Sequence, residues 1–220
     1  MFRILRWVLL AVVIILVVLA AVADFGARRL AETALATRAK QSTGATSTSA
    51  SIGGFPFLYD VLDKASVNTV DLTLDEVPAG TSLTLESVHV HLVKVALDRN
   101  EMLHKRKVTI RSIASGTASV SISAPELSAA TGHQVTLTSA GQVLVSVGGQ
   151  NVAATIRAGA NDVLELTVTG MPVFGLDLAN SPIVPNCSFQ VTVSGSAVTA
   201  SCTMTPVPPA VIAAISTRTT

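Results

Sequence analysis

Thr117–Glu126 reads T-A-S-V-S-I-S-A-P-E. Ala118, Val120 and Ile122 alternate with Ser119 and Ser121, the period of a β-strand with one buried face. Where the alternation stops, Ser123 and Glu126 stand in capping-box spacing, and Gly132 closes the short helix that follows. The same period of two recurs at Val70-Leu72-Leu74 and Val88-Val90-Leu92. It returns at Val135-Leu137, Val143-Val145-Val147, Val163 to Val168, Phe189-Val191-Val193 and Val198-Ala200. Pro78-Ala79-Gly80, Gly148-Gly149, Ala158-Gly159 and Ser194-Gly195 separate these runs, which favours antiparallel meanders over βαβ units. The expected fold class is α+β, a long twisted antiparallel sheet with a few short helices packed on it.

Composition narrows the function classes. The 220 residues carry 15 Lys+Arg against 14 Asp+Glu, and charged residues make up 13% of the chain. No concentrated basic face is available to displace counterions from phosphates, so nucleic acid is not an expected partner. Hydrophobic residues reach 49% with only 4% aromatics, which excludes general disorder and favours strands rich in β-branched side chains. The cysteines, Cys187 and Cys202, are too few for a disulfide scaffold or a complete structural zinc site.

Upstream of the strands, Trp7–Ala23 runs seventeen residues without a charge, with Arg3 and Arg6 before it and Asp24 after it. Lengthened by Ile4 and Leu5, it approaches the ~20 residues a bilayer core requires. The flanking charges leave the N-terminus in the cytoplasm and place everything after Asp24 outside it. Two fates fit: an uncleaved signal anchor in the cell membrane, or a signal peptide cut after Ala23 that releases the chain to the periplasm. Residues 24–45 read as a helical stalk and linker, and residues 46–220 as the working domain. Within it, Thr46–Ile52 reads as linker or as a polar edge strand.

No nucleophile with a base, paired carboxylates, Walker loop or H-E-x-x-H is visible, so the chain is expected to be no enzyme, with no catalytic residues and no cofactor. His89 and His91 point the same way from a strand, but nothing in the sequence completes a metal site, and a solvated strand face is the expectation. Arg99, His104, Lys105, Arg106, Lys107 and Arg111 form a basic segment that reads as a solvated β-turn or as a tip drawn to anionic headgroups. If Ser194-Gly195 is a two-residue hairpin loop, Cys187 falls opposite Cys202, within disulfide reach in an oxidising compartment.

Gly53–Leu62 reads G-G-F-P-F-L-Y-D-V-L and concentrates aromatics behind a glycine pair. Phe57, Leu58, Val61 and Leu62 form one apolar stripe on a short helix opening after Pro56. The membrane segment, the G-G-F-P-F-L motif and the S-V-S-I-S-A-P-E-L-S motif at Ser119–Ser128, in this order, resemble the LmeA-like phospholipid-binding proteins of actinobacterial cell envelopes. The resemblance covers most of the exported region, most closely Ile52 to Gly132. It implies a non-enzymatic periplasmic lipid binder with a curved sheet wrapped around a helix, similar to the tubular lipid-binding (TULIP) superfamily. Ser115-Gly116-Thr117 replace the family's usual aromatic or basic position before the second motif, which touches headgroup preference.

A sheet with few bulky aromatics leaves an apolar trough suited to acyl chains. Phe55, Phe57, Leu58, Val61 and Leu62 are the expected wall or lid, and Val88, Val90, Leu92, Ile110, Val120 and Ile122 the expected floor. Each also reads as ordinary core. The expected function is extracytoplasmic binding of a phospholipid, an anionic one included, in support of envelope lipid or glycolipid biosynthesis, with envelope biosynthesis proteins as further partners. The rival is a non-catalytic interaction module with a fully packed sheet.

Overall fold

The computed structural model describes residues 2–79, 83–105, 108–159, 163–168, 174–177, 188–209 and 212, leaving out the side chains of 2–13, 16, 103, 163 and 174–177. A single helix, α1 (Phe2–Thr43), carries the apolar tract and continues through the alanine-rich segment. At ~1.5 Å rise per residue such a helix is a rod of about 63 Å. Residues that read as linker extend it, because the hydroxyls of Thr37 and Thr43 donate to the carbonyls of Thr33 and Ala39 at 2.8 and 2.7 Å. Those bonds satisfy polar side chains on the helix itself. Gly44, at φ +72°, ends it with its N–H on the Lys40 carbonyl.

The chain then forms β1 (Ser47–Gly53), α2 (Phe57–Leu62), β2 (Ser66–Ala79), β3 (Leu83–Leu97), α3 (Arg99–Lys105), β4 (Ile110–Ser123) and α4 (Ala124–Thr131). There follow β5 (Val135–Leu137), β6 (Val143–Val147), β7 (Gln150–Ala158), β8 (Val163–Val168), β9 (Phe174–Asp177), β10 (Gln190–Val193) and β11 (Ala197–Met204). The fold is α+β with a large antiparallel sheet and few helices. The strands divide into two sheets rather than one, in the orders β1-β2-β3-β4-β11-β10 and β5-β6-β7-β8-β9. α4 marks the passage between them. The Glu126 carboxylate accepts from the Ser123 N–H at 2.9 Å and its hydroxyl at 3.0 Å, and Gly132 at φ +70° closes the helix.

The second sheet explains where the apolar faces go. Leu74, Leu85, Val88, Val120 and Ile122 of the first sheet share one buried cluster with Val145, Leu164 and Leu166 of the second and Leu127 of α4. Two half-apolar layers stacked face to face bury both stripes. A second cluster lies at the other end of the first sheet, built from Ile52, Phe57, Val67, Val95, Ile113, Val207 and Ile212.

Two backbone steps let β2 and β3 serve these clusters. Burial falls on even positions at Leu74 and Val88 but on odd positions at Val77, Ala79, Leu83 and Leu85, with the pairing register unchanged. The change of phase falls at Glu76, in left-handed conformation at φ +52°. It recurs at Lys94, φ +53°, between Leu92 and Val95. A side chain with Cβ costs about 1–2 kcal/mol in this region. That cost is offset by keeping apolar residues inward on both sides of each bend.

Two expectations need correction. The basic segment is no β-turn: Arg99–Lys105 is helix α3, while Arg106 and Lys107 lie outside the described residues. The β10–β11 hairpin pairs Val193 with Val198 and Val191 with Ala200, closed by the Ser194 N–H on the Ala197 carbonyl at 2.9 Å. Its loop is therefore two residues longer than a Ser194-Gly195 turn, and the register that set Cys187 opposite Cys202 does not form. Cys202 is buried, lies beside Ala118 of β4 and is disulfide-bonded. Cys187 lies outside the described residues.

Replacing Lys94 with glycine is expected to stabilise the protein by about 1 kcal/mol, and Lys94→Val to destabilise it, because only glycine adopts this conformation without strain. Denaturant midpoints of the two variants check both signs.

Candidate functional site

β1 is an edge strand, paired with β2 from Ser47↔Asp75 to Gly53↔Thr69 and otherwise open. α1 lies along that open edge. The Ile52 N–H donates outward to Glu32 Oε1 at 2.9 Å, and Lys40 Nζ donates to the Thr46 carbonyl at 2.6 Å. Antiparallel alternation therefore turns the backbone groups of Thr48 and Ala50 toward the helix as well. Two polar bolts hold α1 across an edge that would otherwise invite another strand.

Between helix and strand is a cleft of about 630 Å³, lined by Phe25, Arg28, Arg29, Thr48, Ala50 and Ser51 among others. That size is in the usual range for a small-molecule site. Arg28 Nε donates to Glu32 Oε1 at 3.0 Å, and the Arg29 guanidinium lies 5.0 Å from the centre of the Phe25 ring. With Lys40, the lining holds three cations against the single carboxylate of Glu32. Partial burial works to raise the Glu32 pKa, but the Ile52 N–H and the Arg28 and Arg29 guanidiniums outweigh it and hold the carboxyl below its ordinary value. Thr48 Oγ1 is a buried side-chain oxygen with no hydrogen-bond partner among the described residues. An orphan of this kind in a cleft wall is a position where a ligand donor or acceptor gains a partner.

At the upper end of the cleft, Asp24 joins α1 to α2. Its Oδ2 accepts from the Phe57 N–H at 3.0 Å and its Oδ1 from the Leu58 N–H at 2.6 Å, and the side chain is buried. α2 has no cap of its own at Pro56, so a carboxylate from another helix supplies it. The glycine pair explains the approach. A Cβ on Gly53 would sit on the Thr69 hydroxyl, and Gly54 has φ +122° with Asp60 and Asn68 close by. Asp60, also buried, accepts from Lys64 Nζ at 2.8 Å and Asn68 Nδ2 at 3.3 Å.

The expected lipid-contacting residues do not form one surface. Val88, Val120 and Ile122 are fully buried in the cluster between the two sheets, and Val90 packs against it. Phe57, Leu58, Val61, Leu92 and Ile110 belong to the second cluster, beside Ala27 and Ala31 of α1. Phe55 and Leu62 are on neither: they are 76% and 51% exposed. Leu62 departs from the expected stripe because Asp24 fixes α2 with Phe57 and Leu58 inward. The cleft residues on α1 and β1 were not read from the sequence. The register of α1 on β1 depends on Glu32–Ile52, a contact across twenty residues that no local pattern announces.

His91 Nδ1 pairs with Asp71 and His89 Nδ1 with Thr73 on the exposed side of β2 and β3. Among the described residues no three His, Cys, Asp or Glu side chains gather as a metal site. Among the described residues, too, no helix is long and apolar enough to cross a membrane. The expected segment Trp7–Ala23 lies in part outside the described side chains.

The architecture is thus a two-sheet α+β domain with one long helix bound along an open sheet edge. The chain belongs to the LmeA-like phospholipid-binding family, whose profile matches residues 22–199. This is a family of lipid-binding domains and not a known enzyme family. We found no match among curated proteins and none among solved structures.

Asp24→Ala is expected to speed amide exchange at Phe57 and Leu58 and to cost about 2 kcal/mol, since a buried and a half-buried donor lose a charged acceptor. Glu32 has a lowered pKa in the folded state, so its contribution is complete above the ordinary carboxylate range and is lost as pH falls through the folded-state value. Protection of the Ile52 amide, taken as its exchange rate relative to the intrinsic rate at the same pH, should fall on acidification in the parent protein. In Glu32→Gln that protection should already be low at neutral pH and show no acid step.

Proposed function

We propose that this chain is an extracytoplasmic phospholipid-binding protein, anchored in the cell membrane by the first half of α1, which holds a lipid headgroup in the α1–β1 cleft. Membership of the family supports the ligand class. One observation carries the location: Ile14, Ile15, Val17, Val18, Leu19 and Val22 are bare on α1, and the same unbroken helix becomes the cationic wall of the cleft. A helix that is apolar and exposed on several sides needs an apolar medium.

In this reading the cleft opens beside the membrane surface. A phosphodiester meets Arg28, Arg29 and the Thr48 hydroxyl. Its acyl chains lie toward Phe57, Leu58, Val61, Leu92 and Ile110, whose cluster also takes in Ala27 and Ala31 of α1 and Ile52 of β1. Val88, Val90, Val120 and Ile122 act as structural core. The excess of cations favours an anionic headgroup. No covalent step is involved, and the lipid is held for presentation to envelope lipid or glycolipid biosynthesis.

The full chain, washed in detergent, should retain phospholipid detectable by mass spectrometry. Ala50→Trp, which fills the cleft, and Arg29→Glu, which reverses a wall charge, should each lower retention of anionic phospholipid about tenfold, equivalent to ~1.4 kcal/mol. Unchanged retention in folded variants removes the headgroup from this cleft. A parent protein without lipid and without affinity for phospholipid vesicles favours the interaction module instead.

A further inference from the structure

α2 is apolar on both faces. Phe57, Leu58 and Val61 turn inward, while Tyr59 and Leu62 of the helix, and Phe55 just ahead of it, are 51%, 51% and 76% exposed. Among the described residues no apolar side chain is recorded over these three, and three large exposed side chains within eight residues form a contact surface rather than scattered exposure.

Its placement says what covers it. Asp24 is the first charged residue after the apolar tract, and its two bonds to the Phe57 and Leu58 amides tie α2 to α1 at that level. The far end of α2 is tied as well, by Arg99 Nη1 of α3 on the Asp63 carbonyl at 3.2 Å. Lys64 Nζ lies 5.1 Å from the centre of the Tyr59 ring, and Arg29 covers Phe25 in the same manner. Aromatic rings topped by long cations, next to the end of an apolar helix, suit the headgroup layer of a bilayer, where ring and stem enter the apolar side and the charge stays in water.

We propose that Tyr59 and Leu62 on the outward face of α2, together with Phe55 at its entry, are a second membrane contact, seated in the interfacial layer of the bilayer that the first half of α1 enters. The inference rests on the anchored reading of α1. The contact is made by apolar side chains, and Lys64, the cation over the Tyr59 ring, is engaged by the Asp60 carboxylate at 2.8 Å. The contact holds the domain down on the surface and keeps the mouth of the cleft at headgroup depth.

The test uses the full chain in phosphatidylcholine–phosphatidylglycerol vesicles containing a phospholipid with a diazirine high on its acyl chain. After irradiation, trypsin places the anchor on peptide 7–28 and α2 on peptide 41–64, and fragmentation assigns adducts to residues. Adducts are expected at Phe55–Leu62 as well as on 7–28, at the same level in low and high salt. The triple variant Phe55→Ser/Tyr59→Ser/Leu62→Ser should reduce those at α2 by about tenfold and leave 7–28 unchanged. Adducts on 7–28 alone, or on 41–64 only at the cleft residues Thr48–Ser51, overturn the α2 contact and leave the anchor standing. Adducts on neither peptide overturn both. Should the triple variant not fold, the residue assignment in the parent chain decides by itself.

Discussion

The Asp24 carboxylate is the constraint on which this arrangement turns. A carboxylate removed from water is costly unless its oxygens are occupied, and here each accepts a backbone N–H of α2. The geometry permits no slack: the helix axis of α1, the start of α2 and the turn through Gly53 and Gly54 must agree for both bonds to form. With that agreement, Ala27 and Ala31 come down on the second apolar cluster and Glu32 reaches the Ile52 amide. The cleft is what remains between a helix fixed at both ends and the strand it guards.

The two clusters divide labour along the first sheet. The one shared with the second sheet is built mainly of buried Val, Leu and Ile side chains, and it gives the domain its stability. The other has a helix of six residues, a stretch of α1 and the segment around Val207 as its cover. A cover of short pieces, with half-buried Leu58, Val61 and Leu92 beneath it, opens at lower cost than a sheet does.

Much of this was legible in the sequence, and the losses have physical reasons. The alternation at Val88-Val90-Leu92 and Ala118-Val120-Ile122 gave β3 and β4 and their antiparallel sense, and Ser123 with Glu126 gave α4. The pattern of two cannot say which sheet a strand joins, so the split into two layers stayed hidden, and with it the covering of Val88, Val120 and Ile122. The phase steps at Glu76 and Lys94 carry no glycine or proline that would have announced them. Thr37 and Thr43 read as linker because their bonds to preceding carbonyls appear only once a helix exists. In the site, the Gly53–Leu62 motif was recognisable as special, but which of its apolar residues face outward depends on Asp24, thirty-three residues upstream of Phe57.

The unbroken course of α1 has a mechanical meaning. A tether of glycine and serine would let the domain wander; a continuous helix transmits rotation as well as distance. Each residue adds about 1.5 Å and advances the azimuth by about 100°, so one residue inserted just ahead of Asp24 would both lengthen the rod and turn the domain relative to its N-terminal half. The spelling of that junction is thereby a setting of reach and azimuth together.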